Sequence, residues 1–289
     1  MAQYSIKDLE NFTQIKAHTL RIWEQRYRLL EPKRTDTNIR YYSDDDLKKI
    51  LNINLLYSNG LKISKIALLS DQKIMNMAAE LLMKSGVHSN DHVDVFIRYI
   101  IELNESAIQE KLRALHFELG MEDLYVKVLI PLLQRIGELW QVDTITVTHE
   151  HFFSNILREF FIVETGKISS PLKYKGKVVL FLHEHEQHEL SLLFYYYLLR
   201  KRNYECYYLG QSVPMKDLKT FVEQMNPDYL FTSLIAEVDK DFFKKWLKEI
   251  CGFIEPQKIF VGGYQVCKYV DLIPTKLNQI NNISDIHLK

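Results

Sequence analysis

Residues 177–191, K177-V-V-L-F-L-H-E-H-E-Q-H-E-L-S191, decide how the chain is read. The run 177–184 is apolar, β-rich and of buried-strand length. It breaks into a loop dense in His and acid, and a helical period then runs over 188–204, H-E-L-S-L-L-F-Y-Y-Y-L-L-R-K-R-N-Y. The alternation continues: strand 205–210, helix 213–225, strand 228–234, helix 241–250, strand 258–263. Strands alternating with helices predict an α/β unit, a doubly wound parallel sheet over 177–289. Such sheets bind ligands beyond the carboxyl ends of their strands. Those ends carry H183-E-H-E-Q-H-E-L-S191, Y208-L-G-Q-S-V-P214, T232-S-L234 and V261-G-G263.

Moving towards the N-terminus, G166-K-I-S-S-P-L-K-Y-K-G176 reads as a linker. Before it, residues 73–166 are nearly free of breakers. Val93, Phe96, Ile97 and Ile100, then Leu112, Leu115 and Leu119, then Val128, Leu132, Leu133 and Ile136 recur at helical spacing. That pattern predicts a bundle of about four helices. Residues 1–72 differ again. Ser5 with Asp8 opens one short helix, and Ala17, Leu20, Trp23 and Tyr27 mark a second after a turn near Thr13 and Gln14. Two short helices so joined read as helix-turn-helix. Residues 31–43 follow as a small β wing ending in Ile39, Tyr41 and Tyr42, and Ser43 before three Asp caps a helix over 44–58. Three domains are therefore expected: 1–72, 73–166 and 177–289.

The 289 residues carry 37 Lys and Arg against 37 Asp and Glu, which excludes a uniformly basic nucleic-acid coat. The balance is uneven: residues 1–70 hold 12 Lys and Arg against 8 Asp and Glu, a basic head on an acidic body. A basic head suits a polyanionic partner, though a surplus this small also arises by chance. Three scattered Cys exclude a disulfide framework. The N-terminus lacks a secretory apolar region and no apolar run reaches membrane-spanning length, so a cytoplasmic protein with no membrane partner is expected.

Two motifs in the head are specific. T19-L-R-I-W-E-Q-R26 and N38-I-R-Y-Y-S43 resemble the second helix and the wing of the MerR family of DNA-binding domains. The resemblance implies that His18, Thr19 and Arg21 face the major groove of a double-stranded DNA operator, with Arg40 and Tyr41 on backbone phosphates. A helix fits that groove, Arg pairs with a guanine edge, and phosphate contacts fix the register. Arg21 and Arg26 also read as a solvated face or as ion-pair partners of Glu24.

The loop after the first parallel strand has three readings. A zinc site fails on spacing, because Gln187 and Glu189 stand where H-E-x-x-H needs its second His. A solvated polar loop is the second. The third is a resemblance: E186-Q-H188-E-L-S191 is similar to the cobalamin-binding signature D-x-H-x-x-G, whose His coordinates cobalt. Gly210 and Pro214, T232-S233-L234 and G262-G263 then fall on that family's other loops in order. Neutral imidazole is a good cobalt ligand, and Glu186 is placed to fix its tautomer. Small residues at 232–233 and 262–263 would let a nucleotide tail pass between strands and helices. In the bundle, Trp140, nine residues, then Glu150-His151 resembles the upper-face motif of CarH-like photoreceptor regulators, which share this domain order. It implies that Trp140 shields the adenosyl group of adenosylcobalamin and that Glu150 and His151 contact it. The chain departs from the pattern at Ser191 for Gly, Thr232 for Ser, Glu186 for Asp, and Gln141 where those photoreceptors often have His.

The expectation is a transcriptional repressor that senses adenosylcobalamin and light through a dimeric or tetrameric homo-oligomer, and not an enzyme. The competing expectation keeps the DNA-binding head and makes the C-terminal domain a protein-interaction module or a site for a different ligand. A corrinoid-dependent enzyme is disfavoured, since no substrate barrel accompanies the head.

Overall fold

The structure is a computed structural model and describes residues 4–13, 15–35, 38, 40–85 and 91–288. Ile39, expected in the wing, lies outside them. In chain order, α1 (Ile6–Thr13) and α2 (Ala17–Tyr27) precede an antiparallel ribbon of β1 (Lys33–Arg34) and β2 (Arg40–Tyr41). Next come α3 (Asp44–Ser58), α4 (Ile63–Ile66), α5 (Asp71–Ser85), α6 (Asp91–Ile101) and α7 (Glu105–Leu124). A π-helical turn, Tyr125–Leu129, leads to α8 (Ile130–Gln141) and α9 (Val147–Gly166). The α/β part is β3 (Lys177–His183), α10 (Leu190–Lys201), β4 (Glu205–Val213), α11 (Met215–Met225), β5 (Tyr229–Ser233), α12 (Lys240–Ile250), β6 (Ile259–Gly262), α13 (Tyr264–Lys268) and β7 (Asn278–Ile280).

The chain divides into two compact units, Met1–Ile108 with Val126–Phe152, and Gln109–Tyr125 with Phe153–Lys289. In the first, α1, α2 and α3 enclose Leu9, Leu20, Trp23, Leu47, Ile50 and Ile53, all buried. Local chemistry fixes the elements. Ser43 and Asp46 close a capping box on α3, and Arg28, in left-handed geometry at φ 51°, ends α2. Backbone bonds between Tyr4 and Tyr42, 2.9 and 2.8 Å, extend the wing. This is the winged helix-turn-helix that the two motifs imply.

In the second unit, five strands among the described residues form a parallel sheet in the order β4-β3-β5-β6-β7. Relative to chain order this is the flavodoxin-like 2-1-3-4-5 arrangement, whose switch point lies between β3 and β5. One face packs Val179, Phe181, Leu230, Ile259 and Val261 against α11 and α12 through Leu218, Val222, Phe243 and Trp246. Side chains alternate along a strand, so Phe231, Ser233, Phe260 and Gly262 belong to the opposite face. There Phe231 and Phe260 stack at 4.6 Å.

Two details differ from the sequence expectation. The strand β7 lies in N278-Q-I280, too short and polar to show as an apolar run; β6 supplies its parallel pairing. The strand expected at 205–210 continues to Val213 because a bulge re-registers it against β3 beyond Leu180. Gly210 makes that bulge at φ +76°, and an added Cβ would stand 3.4 Å from the Tyr208 ring. Gly210→Val should therefore cost about 1–2 kcal/mol in backbone strain and lower the thermal midpoint of the full-length protein. A melt followed by circular dichroism that matches wild type would show that the bulge relaxes without cost.

Candidate functional site

The loop between β3 and α10 is built around two buried carboxylates that flank His188. Glu186 is wholly buried. Its Oε2 accepts the backbone N–H groups of Ile235 and Ala236, both at 2.7 Å, in the segment after β5. Its Oε1 accepts the backbone N–H of His188 at 2.8 Å and stands 2.6 Å from His188 Nδ1. One side chain thus spans the switch point of the sheet. Glu189, also buried, accepts from Arg158 Nε and from the Tyr208 hydroxyl at 2.8 Å. The strand β4 braces the loop from its other side: Gln211 Nε2 donates to the Gln187 carbonyl at 2.6 Å, and Gln187 reaches Ser212 Oγ.

Burial alone would push the Glu186 carboxyl up. The hydrogen bonds from His188 and from the amides of His188, Ala236 and Ile235 outweigh it and bring the carboxyl from 4.5 down to about 2. It is therefore ionised at neutral pH and can only accept, so Nδ1 of the imidazole is the donor in this contact. The His188 side chain is 59% exposed, so a metal-bearing group can reach it. His183 differs: it is buried, accepts the His185 N–H on Nδ1 and packs edge-on against Phe242 at 5.0 Å. Among the described residues no group of three or more His, Cys, Asp or Glu is placed to hold a metal ion.

The remaining candidates of this unit cluster at the same strand ends. Ser191, on the first turn of α10, shares a 3.1 Å hydrogen bond with the Tyr125 hydroxyl, and the Tyr125 ring stacks on Phe194 at 3.7 Å. Thr232 Oγ1 and Ser233 Oγ are buried with no hydrogen-bond partner. Leu234 and Gly263 approach so closely that a Cβ on Gly263 would stand 2.5 Å from the Leu234 carbonyl oxygen. The dyad of Glu186 and His188 and the unpartnered hydroxyls fit a corrinoid bound through a histidine. His188 would be its lower ligand, and residues 232–234 and 262–263 would border its tail. Spacing missed Glu189, Arg158, Tyr208 and Tyr125. Their roles arise from contacts between separate elements, although the aromatic run F194-Y-Y-Y197 was a visible signal.

In the first unit, Trp140 is half-buried and packs against the core of the head, with Lys48 Nζ 5.1 Å above its ring. Gln141 exchanges two 3.1 Å hydrogen bonds with Asn52, and Lys48 pairs with Asp143. Glu150 and His151 adjoin each other at 2.8 Å, His151 being exposed. His18 and Arg21 are exposed on α2, Thr19 is half-buried beside them, and Lys33 and Arg34 are exposed on the wing. Glu24 takes neither Arg21 nor Arg26 as its ion-pair partner. It accepts from Arg40 Nε at 3.3 Å and from the Tyr42 hydroxyl at 3.1 Å, fixing the wing to α2. Tyr41 is half-buried in the ribbon, paired with Lys33.

A winged helix-turn-helix joined to a helical segment and a flavodoxin-like sheet with a histidine at its switch point defines a class. The chain is a DNA-binding transcriptional regulator of MerR type with a cobalamin-binding domain. Residues 4–73 match the family described as MerR HTH family regulatory protein, and residues 93–163 match the B12 binding domain. The chain is 27% identical over 266 residues to the HTH-type transcriptional repressor CarH of Myxococcus xanthus, covering 90% of this chain and 88% of that protein. Over 69 residues, 24% of this chain and 28% of the relative, it is 39% identical to the HTH-type transcriptional regulator MlrA of Escherichia coli. These relatives are named as regulators and not as enzymes. A solved structure of the Methanosarcina barkeri monomethylamine corrinoid protein shares the fold, with a TM-score of 0.55 and 15% identity over 68% of this chain and 96% of that one. No helix among the described residues is long and apolar enough to cross a membrane.

The depressed Glu186 carboxyl makes acid stability testable. A group depressed in the folded state stabilises above its unfolded value and loses that contribution as pH falls from about 4.5 towards 2. Its loss is worth on the order of 3 kcal/mol at about 1.4 kcal/mol for each pH unit. Glu186→Gln should lower stability at pH 7 and flatten the decline in urea-unfolding midpoint between pH 5 and 2.5. Parallel pH profiles for the two proteins would remove Glu186 from this role.

Proposed function

We propose that the chain is a repressor that binds a double-stranded DNA operator in the cytoplasm and responds to adenosylcobalamin and to light by changing its homo-oligomeric state between forms up to a dimer or tetramer. The observation that carries this reading is the Glu186–His188 dyad at the switch point, where a buried anion fixes an exposed imidazole in the tautomer that metal ligation needs. On this reading residues 1–72 would read DNA, 73–166 would shield the adenosyl group and 177–289 would hold the cobalt and the nucleotide tail. Bound adenosylcobalamin would supply a cobalt–carbon bond that light breaks.

The chain's own residues do the rest. His188 would hold the metal, and Glu186 would keep its proton on Nδ1. Ser191, Gly210, Thr232, Ser233, Leu234, Gly262 and Gly263 border the lower nucleotide. Trp140 would shield the adenosyl group, and Glu150 and His151 would contact it. Regulation requires that the ligand bind the assembled state more tightly than the dissociated one. Gln141 is a poor cobalt ligand, and its amide bonds to Asn52.

Three experiments test this function. His188→Ala should abolish the base-off, histidine-ligated visible spectrum while leaving the circular dichroism unchanged. In size-exclusion chromatography the wild type loaded with adenosylcobalamin should elute as an oligomer in the dark and dissociate under green light. A wild-type spectrum in the variant sinks the lower-ligand role; an oligomer that survives illumination leaves a cobalamin sensor without a photoresponse. On DNA, Arg21→Ala should relax base preference by about 1–3 kcal/mol. Arg40→Ala should weaken binding to all sequences alike and flatten its salt dependence. Unchanged operator affinity in both would remove the head from this role.

A further inference from the structure

The carboxyl end of the sheet has a notch on the face that α10 covers. Ser233 and Gly262 are register partners on β5 and β6, and both belong to that face, one residue pair beyond the stacked Phe231 and Phe260. Large rings thus give way to a hydroxymethyl group and a hydrogen at the end of the sheet where α/β folds bind ligands. The notch is filled by Tyr195. Its ring lies 6.2 Å from Phe231, its side chain is buried, and its hydroxyl stands 2.9 Å from where a Cβ on Gly262 would be. Ser233 Oγ remains without a partner.

Tyr195 lies four residues beyond Ser191 on α10, so the two share one side of the helix. That turn is held in place: Ser191 bonds to Tyr125, and Tyr125 stacks on the neighbouring Phe194. These contacts tie the backbone of α10 at this turn, so a ligand that entered the notch would have to displace the Tyr195 side chain rather than the helix. A wholly buried hydroxyl left unsatisfied is costly, and a ligand group with a hydrogen-bonding edge would remove that cost. The nucleotide tail assigned to this border under the proposed function has such an edge.

We infer that Tyr195 is a specificity-determining residue that occupies the nucleotide-tail notch of the unloaded protein and competes with the tail of cobalamin, but not with a corrinoid that lacks one. The inference rests on the proposed corrinoid site and deepens it. A corrin ring held by His188 would lie outside the notch and would be indifferent to Tyr195. A tail-bearing corrinoid must displace a buried aromatic side chain, and its affinity is reduced by the fraction of protein in which Tyr195 fills the notch. Gly262 then serves two occupants in turn.

The test uses adenosylcobalamin and adenosylcobinamide, which share the corrin and the upper ligand and differ in the lower nucleotide. Each is titrated in the dark into the full-length protein and followed by visible absorbance. Tyr195→Leu, which keeps apolar bulk near the helix and removes the reach to Gly262, should tighten adenosylcobalamin binding roughly tenfold or more and leave adenosylcobinamide within about twofold. Tyr195→Phe, which keeps the ring and loses the hydroxyl, should fall between, and guards against misfolding of the leucine variant. Unchanged or weaker adenosylcobalamin binding in both variants overturns the inference. An equal gain for both corrinoids also overturns it, since Tyr195 would then oppose the ring and not the tail. If wild type binds both ligands through His188 while the Tyr195 variants change nothing, the proposed function stands and the gate falls. If neither ligand binds any of the proteins, both fall together, and the α/β unit takes another ligand or a protein partner.

Discussion

The buried carboxylate of Glu186 is the constraint from which the site takes its shape. It reaches from the loop after β3 to two backbone amides after β5 and at the same time fixes the backbone and ring of His188. A buried charge is tolerable only when every oxygen is satisfied. The loop and the segment after β5 must therefore keep their spacing, and His188 has little choice of orientation. The exposed imidazole is placed by a group that solvent never reaches. Glu for Asp at this position adds a methylene, and in this fold the extra reach is used, because the amides it meets belong to another strand's loop.

Aromatic packing makes the same site tight where small residues were expected to leave room. Tyr125, Phe194 and Tyr195 surround the start of α10, and the hydroxyl of Ser191 is engaged with Tyr125. The unpartnered hydroxyl of Ser233 belongs to the sheet face that this block covers, and that of Thr232 to the opposite face. A close-packed interior that leaves polar atoms unsatisfied has stored free energy that a ligand can release. In the first unit the end of α8 meets α3 of the head through Trp140, Gln141 and Asp143. Trp140 and Gln141, which the CarH-like pattern assigns to the upper face, are thus neighbours of α3.

Much of the architecture was legible because period and caps are local properties. The apolar run 177–184, the alternation after it and the capping box at Ser43 and Asp46 each fix an element without reference to the rest of the chain. The motifs T19–R26 and E186–S191 were legible for the same reason, since spacing along the chain carries them. The strand β7 was not, because N278-Q-I280 has no apolar run and becomes a strand only when β6 offers it a ladder.

By itself, then, the sequence determined the order of the parts: a winged helix-turn-helix, helices, and a doubly wound sheet with His188 beyond its first strand. These follow from hydrophobic period and turn chemistry, which act over a few residues. Only the tertiary structure decided which charge meets which. Glu24 binds Arg40 and Tyr42 of the wing, not the arginines of its own helix. Glu189 is held by Arg158 and Tyr208. Tyr195 comes to rest over Gly262, and no spacing along the chain links the two. The physical reason is that burial and hydrogen-bond satisfaction are decided by neighbours in space, and these residues become neighbours only when the elements carrying them pack.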